Sequence, residues 1–311
     1  MGLREIKNRI KSVGNTAKVT RALEAVSANK MRKWEERALS ARPYAVEALQ
    51  LLKLLKSRKS DECVLFSGIK DAKNDLIIIV ITSDKGLCGG YNIKLLEKVT
   101  QFTEDAKDNY NNINYVTIGK NGNIYLKNRQ KNILREEMNW GDDVNIDKIG
   151  KLYDYLEEMF LKDKISKIMV AYTDFYSAIK YEQKVRQLLP VSEKDLEEIV
   201  KGIVPYFGKY SRTGKTEIEL PKEKEFEYLF EPSADLVLND IIKDLLEACL
   251  YHMILESNAS EHSARMVAMK NATDNSKEML SDLKLTYNKE RQNKITQEML
   301  EIIGGAEALS S

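Results

Sequence analysis

The C-terminal quarter of the chain carries a long helical pattern of apolar and polar positions. Pro232 and Ser233 predict its start, and Gly304-Gly305 predicts its end, with no proline or glycine between them. At 1.5 Å per residue this helix would be on the order of 105 Å long, which exceeds the width of a compact domain. Its apolar and small positions follow a helical spacing through Ile242, Leu245, Cys249, Leu250, Met253, Leu280, Leu283 and Tyr287.

The N-terminal segment shows a second, narrower helical seam. Apolar and small residues alternate at steps of three and four through Leu3, Ile6, Ile10, Val13 and Ala17, then thin out to Leu23, Val26 and Met31. A helix this polar is not stable alone and needs a partner to cover its seam. We therefore predict that the two terminal helices form an antiparallel two-stranded coiled coil.

The C-terminal helix is predicted to be the longer of the two. Its last segment, 295–309, is rich in apolar and small residues and would extend beyond the end of its partner helix. An exposed apolar patch of this kind usually marks a binding site for another protein.

Between the two helices the pattern changes to alternating strands and helices. Buried strands are predicted at 75–82, 112–119 and 165–173, half-exposed outer strands at 180–190 and 225–232, and amphipathic helices at 92–106 and 146–162. This order predicts a small, mainly parallel sheet with covering helices, so the fold class is α/β with long helices. We divide the chain into an N-terminal coiled-coil helix (1–60), an α/β domain (61–231) and a C-terminal coiled-coil helix (232–311).

Charge is informative only when it is divided by segment. The whole chain has a net charge of +1, but residues 1–60 carry 15 Lys and Arg against 5 Asp and Glu, whereas residues 233–311 carry 8 against 13. The two helices can therefore attract each other, and the balanced total indicates no nucleic-acid partner. The three cysteines and two histidines have no zinc-ligand spacing, and no apolar run has the length of a membrane span. We expect a soluble, cytosolic chain without a metal or cofactor.

The glycine-rich stretch SDKGLCGGYN at 83–92 follows a predicted strand, as phosphate-binding loops do. A P-loop requires G-x-x-x-x-G-K-[ST] and a dinucleotide loop requires G-x-G-x-x-G, and this stretch matches neither pattern. We therefore favour a structural turn. Cys88 is a weak candidate nucleophile because both histidines lie on the predicted C-terminal helix. Glu261 and His262 are predicted to lie on a solvated helix face, and no catalytic group of residues emerges.

Four stretches together resemble the γ subunits of rotary F-type ATP synthases, of the bacterial type. They are IKNRIKSVGNTAKVTRALEAVSANKMRK at 6–33, TSDKGLCGGYN at 82–92, ASEHSARMVAMKNATDN at 259–275 and YNKERQNKITQEMLEIIGGAEAL at 287–309. The resemblance runs from end to end and is weakest over 100–225.

The resemblance implies a central rotor that has no catalytic residues of its own. Its coiled coil would turn inside the ring of α and β subunits, coupling ion flow through the membrane c ring to ATP synthesis or hydrolysis in the β subunits. Its α/β domain would form a foot that binds the ε subunit and the c-subunit ring. It implies no cofactor, no nucleic acid and no direct membrane insertion, and a peripheral location on the cytoplasmic face of the bacterial membrane.

The resemblance also assigns roles to individual residues. A β-subunit contact is implied for Arg291, Gln292 and Thr296. The residues implied to line the shaft and its bearing are Leu23, Lys30, Met31, Arg32, Lys33, Leu300, Ile302, Ile303 and Leu309. Contact of the foot with ε or the c ring is implied for Phe226, Tyr228 and Phe230.

Two other functions are compatible with the pattern alone. One is a coiled-coil scaffold that links other proteins without rotating. The other is an α/β enzyme with a helical dimerisation arm, whose ligand would bind near 83–92.

Overall fold

The structure, a computed structural model, describes residues 2–40, 64–69, 73–140, 144–162, 165–191 and 234–310. The chain divides into two compact units: residues 1–28 with 265–311, and residues 29–264. The predicted boundaries at 60/61 and 231/232 lie outside the described residues. None of the helices in the described ranges is long and apolar enough to cross a membrane.

The described elements alternate as the sequence predicts. The helices are α1 (Leu3–Ser40), α2 (Val64–Ser67), α3 (Tyr91–Ala106), α4 (Lys120–Asn128), α5 (Ile146–Lys162) and α6 (Ala234–Ser310). The strands are β1 (Lys73–Ile81), β2 (Asn112–Ile118), β3 (Ile133–Glu137), β4 (Ile165–Phe175) and β5 (Tyr181–Leu189). Four of the predicted strands are confirmed, and the fifth, at 225–232, lies outside the described residues. The hydrophobic pattern does not predict β3 and α4, because both are short and mostly polar.

The five strands form one sheet in the order β3-β2-β1-β4-β5. The first four strands are parallel and β5 runs antiparallel to β4, which confirms a mainly parallel sheet. The central strand β1 is buried on both faces: Ile77 and Ile79 belong to one apolar core, whereas Ile78 and Val80 belong to the other. This two-sided burial explains the unbroken apolar run of that strand.

Helices cover both faces of the sheet. On one face, α5 and the first part of α6 pack against the strands together with Trp34 of α1, which is 1% exposed. On the other face, α3 and α4 contribute Leu95, Val99 and Leu126 to the second core. The C-terminal part of α1 and the N-terminal part of α6 are therefore built into the α/β domain.

In the first unit, α1 from Leu3 to Ser27 and α6 as far as Glu290 form the predicted coiled coil. Buried and half-buried positions recur at steps of three and four along both helices, at 3, 6, 10, 13, 17, 20, 24 and 27 of α1 and at 269, 273, 276, 280, 283, 287 and 290 of α6. The Thr20 and Thr273 hydroxyls form a hydrogen bond of 2.7 Å across the seam. Leu3 lies 17 residues before Thr20, and Glu290 lies 17 residues after Thr273. The side chains of α6 from Arg291 to Ala306 are exposed, as antiparallel pairing requires.

Two details of the helices differ from the sequence analysis. Val26 is 50% exposed and Ser27, at 2%, occupies the seam instead, because the repeat continues through small polar residues whose hydroxyls bond to their own helix. In addition, α6 does not end at Gly304-Gly305 but continues to Ser310. A glycine costs about 1 kcal/mol in a helix relative to alanine, which weakens a helix without ending it.

The prediction that Glu261 and His262 lie on a solvated face is wrong. Every side chain from His252 to Ala264 is buried, Glu261 and His262 each at 6% exposure. The segment is rich in Ser and Ala, and these small side chains let the backbone of neighbouring elements approach α6 closely. Within it, His252 Nε2 and Glu256 Oε1 are hydrogen-bonded at 2.9 Å.

Substituting Gly119 by alanine should destabilise the chain by about 2–4 kcal/mol. Gly119 has a φ of 96°, and a Cβ there would lie 2.1 Å from the carbonyl oxygen of Thr82 at the end of β1. Chemical denaturation would measure the change. Gly86→Ala is the matched control because a Cβ at Gly86 has no atom within 4 Å, and an equal loss in both variants would contradict the explanation.

Raising the pH should destabilise the wild-type chain relative to Glu256→Gln. Burial raises the pKa of Glu256 above 4.5, with partial compensation by His252, so the folded chain holds this proton more tightly than the unfolded chain. The contribution to stability is complete below about pH 4.5 and is lost as the pH rises through the folded-state pKa. In urea unfolding at several pH values, the free energy of unfolding of Glu256→Gln should rise relative to that of the wild type as the pH increases. For the exposed control Glu278→Gln, the difference from the wild type should not change with pH.

Candidate functional site at the exposed end of the C-terminal helix

The last turns of α6 are an exposed apolar helix. From Arg291 to Ala306 every described side chain is exposed, including Ile302 at 71%, Leu300 at 64% and Met299 at 57%. None of the described residues covers this segment, because α1 begins at Leu3, which pairs near Glu290. Large exposed apolar groups concentrated on one segment indicate a binding surface.

The apolar groups lie mainly on the side of α6 opposite the seam. Ile295, Met299 and Ile302 have the spacing i, i+4, i+7, which places them on one helix face. Met299 is about 180° around the helix from Glu290, the last seam position, at 100° per residue. Positions that would continue the seam are the polar Lys294, Gln297 and Glu301, and Gln297 Nε2 donates to Glu301 Oε1 at 3.0 Å. We call Ile295, Met299 and Ile302 the apolar stripe.

The structure places the three implied β-contact residues next to this stripe. Arg291, Gln292 and Thr296 are all exposed and lie within two turns of one another on α6. A guanidinium can form paired charge-assisted hydrogen bonds with a carboxylate, and the amide and hydroxyl can donate or accept. The segment therefore combines an apolar face with a short polar group at its base.

The other implied shaft residues have mixed surroundings. On α1, Leu23 and Lys30 are half-buried and Arg32 and Lys33 are exposed, whereas Met31 is 7% exposed and packs inside its unit. On α6, Leu300, Ile302 and Ile303 are exposed. Phe226, Tyr228 and Phe230 lie outside the described residues, as does the side chain of Leu309.

The glycine-rich loop at 83–92 is filled by its own side chains. The Ser83 backbone N–H donates to Asn92 Oδ1 at 3.0 Å, and Asn92 Nδ2 donates to Ser83 Oγ at 2.7 Å and to Cys88 Sγ at 3.4 Å. Leu87 and Gly89 have positive φ values of 62° and 58°, which turn the chain from β1 into α3. These contacts support the interpretation of a structural turn.

Both described cysteines are buried. Cys88 is 3% exposed, and burial raises the pKa of the Cys249 thiol to about 12, which keeps that thiol protonated and unreactive. Among the described residues, no group of three His, Cys, Asp or Glu side chains could hold a metal ion.

Ile295 and Met299 are not among the site residues that the resemblance implies. Their spacing relative to Ile302 was visible in the sequence. The sequence pattern does not show where the seam lies on α6, because the seam includes polar positions such as Thr273. The structure is needed to tell which side of α6 is covered by α1.

Comparison with known proteins decides the family. The family model for ATP synthase matches residues 2–309. The ATP synthase gamma chain of Verminephrobacter eiseniae is 37% identical over 305 residues, which cover 98% of this chain and 97% of that one. The gamma chain of Burkholderia ambifaria is 35% identical over 309 residues, covering 99% of each. The chain belongs to the ATP synthase gamma chain family. As a member of this family, the chain is a non-catalytic subunit of ATP synthase, as the sequence resemblance implies.

Solved structures share the fold at lower sequence identity. A chain of the Euglena gracilis mitochondrial ATP synthase, in a structure of OSCP, F1 and c-ring, aligns with a TM-score of 0.61 and 17% identity, covering 99% of this chain and 94% of that one. A chain from the central stalk and c-ring of the Tetrahymena thermophila enzyme aligns with a TM-score of 0.56 and 22% identity, covering 82% and 99%. The predicted fold class, α/β with a long helix at each end of the chain, is therefore confirmed.

The seam hydrogen bond between Thr20 and Thr273 should show coupling in a double-mutant cycle. Each single substitution, Thr20→Val or Thr273→Val, should cost about 1 kcal/mol because it leaves one hydroxyl without its cross-helix partner. The double variant should cost less than the sum, since two methyl groups then face each other. Thr16→Val is the control, because the Thr16 hydroxyl, among the described residues, bonds to Ser12 O of its own helix and to no residue of α6. Additive losses in denaturant unfolding would show that the contact contributes nothing.

Proposed function

We propose that this chain is the central rotor stalk of a bacterial F-type ATP synthase. It couples ion flow through the membrane c ring to ATP synthesis or hydrolysis in the β subunits by rotating inside the ring of α and β subunits. The observation that carries this proposal is the exposed apolar end of α6, taken together with membership of the gamma chain family.

The exposed end of α6 suits a cavity lined by other subunits. Burying the apolar stripe against an apolar wall would be favourable at about 25 cal/mol per Å² of apolar surface. Arg291, Gln292 and Thr296 would then meet polar groups of one β subunit, with Arg291 in paired hydrogen bonds to a carboxylate. The remaining shaft contacts would come from Leu23, Lys30, Arg32 and Lys33 on α1.

The two sides of the helix end differ, and this difference supports a coupling mechanism. The apolar stripe lies on one side of α6, whereas Lys294, Gln297 and Glu301 lie on the other. Each surrounding β subunit would therefore contact a different surface at a given rotational angle. A contact that favours one β conformation over another shifts the populations of open and closed sites, and rotation moves that preference from subunit to subunit.

The α/β domain is proposed to form the foot of the rotor. Its partners would be the ε subunit and the c-subunit ring, and the related Tetrahymena thermophila structure, which joins a central stalk to a c-ring, supports the second of these. Such an assembly would hold the chain at the cytoplasmic face of the bacterial membrane as a peripheral subunit. The contact residues Phe226, Tyr228 and Phe230 remain a proposal.

The test is reconstitution with the α and β subunits of the same organism. The full chain should join as one copy per ring of α and β subunits and change the ATPase rate. Truncation after Asn288 should preserve folding of the α/β domain but impair that effect, since it removes the exposed end. Complex mass and ATP turnover are the two measurements.

A paired substitution separates the apolar stripe from the rest of the helix end. Met299→Ser with Ile302→Ser should weaken assembly or rotation-coupled turnover, whereas Lys294→Ser with Gln297→Ser on the opposite side is the matched control. If the full chain does not join the ring, the rotor assignment is wrong. If both pairs behave alike, the stripe is not the contact surface.

A further inference from the structure

Three serines on one face of α6 form hydrogen bonds to the C-terminal part of β4 and to the turn that follows it. Ser257 Oγ accepts a hydrogen bond from the Thr173 backbone N–H at 3.2 Å, and Ser260 Oγ donates to the Thr173 carbonyl at 3.3 Å. Ser263 Oγ donates to the carbonyl of Ala178, in the turn between β4 and β5, at 2.6 Å. The spacing i, i+3, i+6 places all three on one side of the helix. We call these three residues the serine ladder.

A fourth hydrogen bond comes from another element. The Tyr91 hydroxyl, on the first turn of α3, donates to the Ser257 carbonyl at 3.0 Å. Burial raises the pKa of Tyr91 well above its ordinary value, so the hydroxyl remains a donor at any physiological pH. The ladder serines, Thr173 and Tyr91 are all at most 1% exposed. Since buried hydrogen bonds do not compete with water, each one fixes the groups that it joins.

The position of the ladder along α6 is informative. N-terminal to it, α6 packs on the sheet through apolar residues such as Ile242, Leu250 and Met253. Apolar packing is non-directional, so it opposes the separation of α6 from the sheet more than it opposes rotation of α6 about its own axis. The ladder occupies the last turns of α6 in the unit that ends at Ala264. Beyond it, the same unbroken helix continues through residues 265–310.

We propose that the serine ladder and Tyr91 fix the rotational setting of α6 relative to the sheet, so that torque applied to the α/β domain reaches the coiled coil. The inference rests on the proposed rotor function and assigns its residues as positioning residues. Their hydrogen bonds are directional, so a rotation of α6 about its own axis must break them before it slides past β4. Without the serine ladder, α6 would rotate elastically relative to the sheet when torque is applied to the α/β domain.

The test compares Ser257→Ala/Ser260→Ala/Ser263→Ala with Ser276→Ala in the assembled ATP synthase. Alanine keeps nearly the same volume and favours a helix, so the triple variant removes hydrogen bonds without opening a large cavity. Ser276 is the matched control because its hydroxyl, within the part of the chain that the structure describes, bonds to Ala272 O of its own helix and not to the sheet. Tyr91→Phe removes the fourth bond from a different element and provides an independent variant.

Three readouts distinguish positioning from general stability. The first is ATP hydrolysis by the α, β and γ subunits without the membrane ring, where the α/β domain carries no load; it should be unchanged. The second is the torsional stiffness of the rotor, measured from the angular fluctuations of a bead on the α/β domain, which should fall in the triple variant and in Tyr91→Phe. The third is ion transport per ATP hydrolysed in vesicles, which should fall as the opposing gradient rises.

The outcomes separate this inference from the rotor assignment. The proposed role of the serine ladder would be wrong if the triple variant and Tyr91→Phe both had the same torsional stiffness as Ser276→Ala. The rotor function would be unaffected by that result. Failure of the wild-type chain to join the ring would overturn the rotor function itself. If the triple variant does not fold, the single variant Ser263→Ala, which loses the shortest of the bonds, is measured in the same way and decides the question.

Discussion

The pairing of α1 with α6 is the interaction on which the rest of the structure depends. A helix of 77 residues with a largely polar surface has no core of its own, so it needs contacts along its length. Residues 265–290 obtain them from α1, and the N-terminal part of α6 obtains them from the sheet. Where α1 begins, this support ends, and the exposed segment after Glu290 is the direct result.

The same pairing gives the end of α6 two different sides. The seam fixes which face turns toward α1, and the positions that would continue it are polar once the partner helix is gone. The apolar stripe lies on the opposite face of α6, whereas the three positions that continue the seam carry polar side chains. An element that must present different surfaces to identical neighbours needs this kind of asymmetry, and here it arises from the register of one helix pair.

Most of the architecture could be predicted from the sequence because it follows from periodicity. The apolar run of β1, the amphipathic α5 and the interruption-free α6 each have an unambiguous pattern. The predictions that fail do so for physical reasons. Ser27, and not Val26, lies in the seam because its small hydroxyl forms its hydrogen bond within its own helix. Glu261 and His262 are buried because the small Ser and Ala side chains around them let the backbone of neighbouring elements approach α6 closely. At the site, the exposed apolar end was predictable, but its orientation depended on a tertiary contact between Thr20 and Thr273.

The helical course of α6 through Gly304 and Gly305 has a mechanical consequence. Two consecutive residues without side chains leave a little more than half of one helical turn as bare backbone, at 100° per residue. A Cβ at either position would have no atom within 4 Å. A neighbouring surface can therefore approach the helix axis more closely on that side than it can beside Ile302 or Ile303.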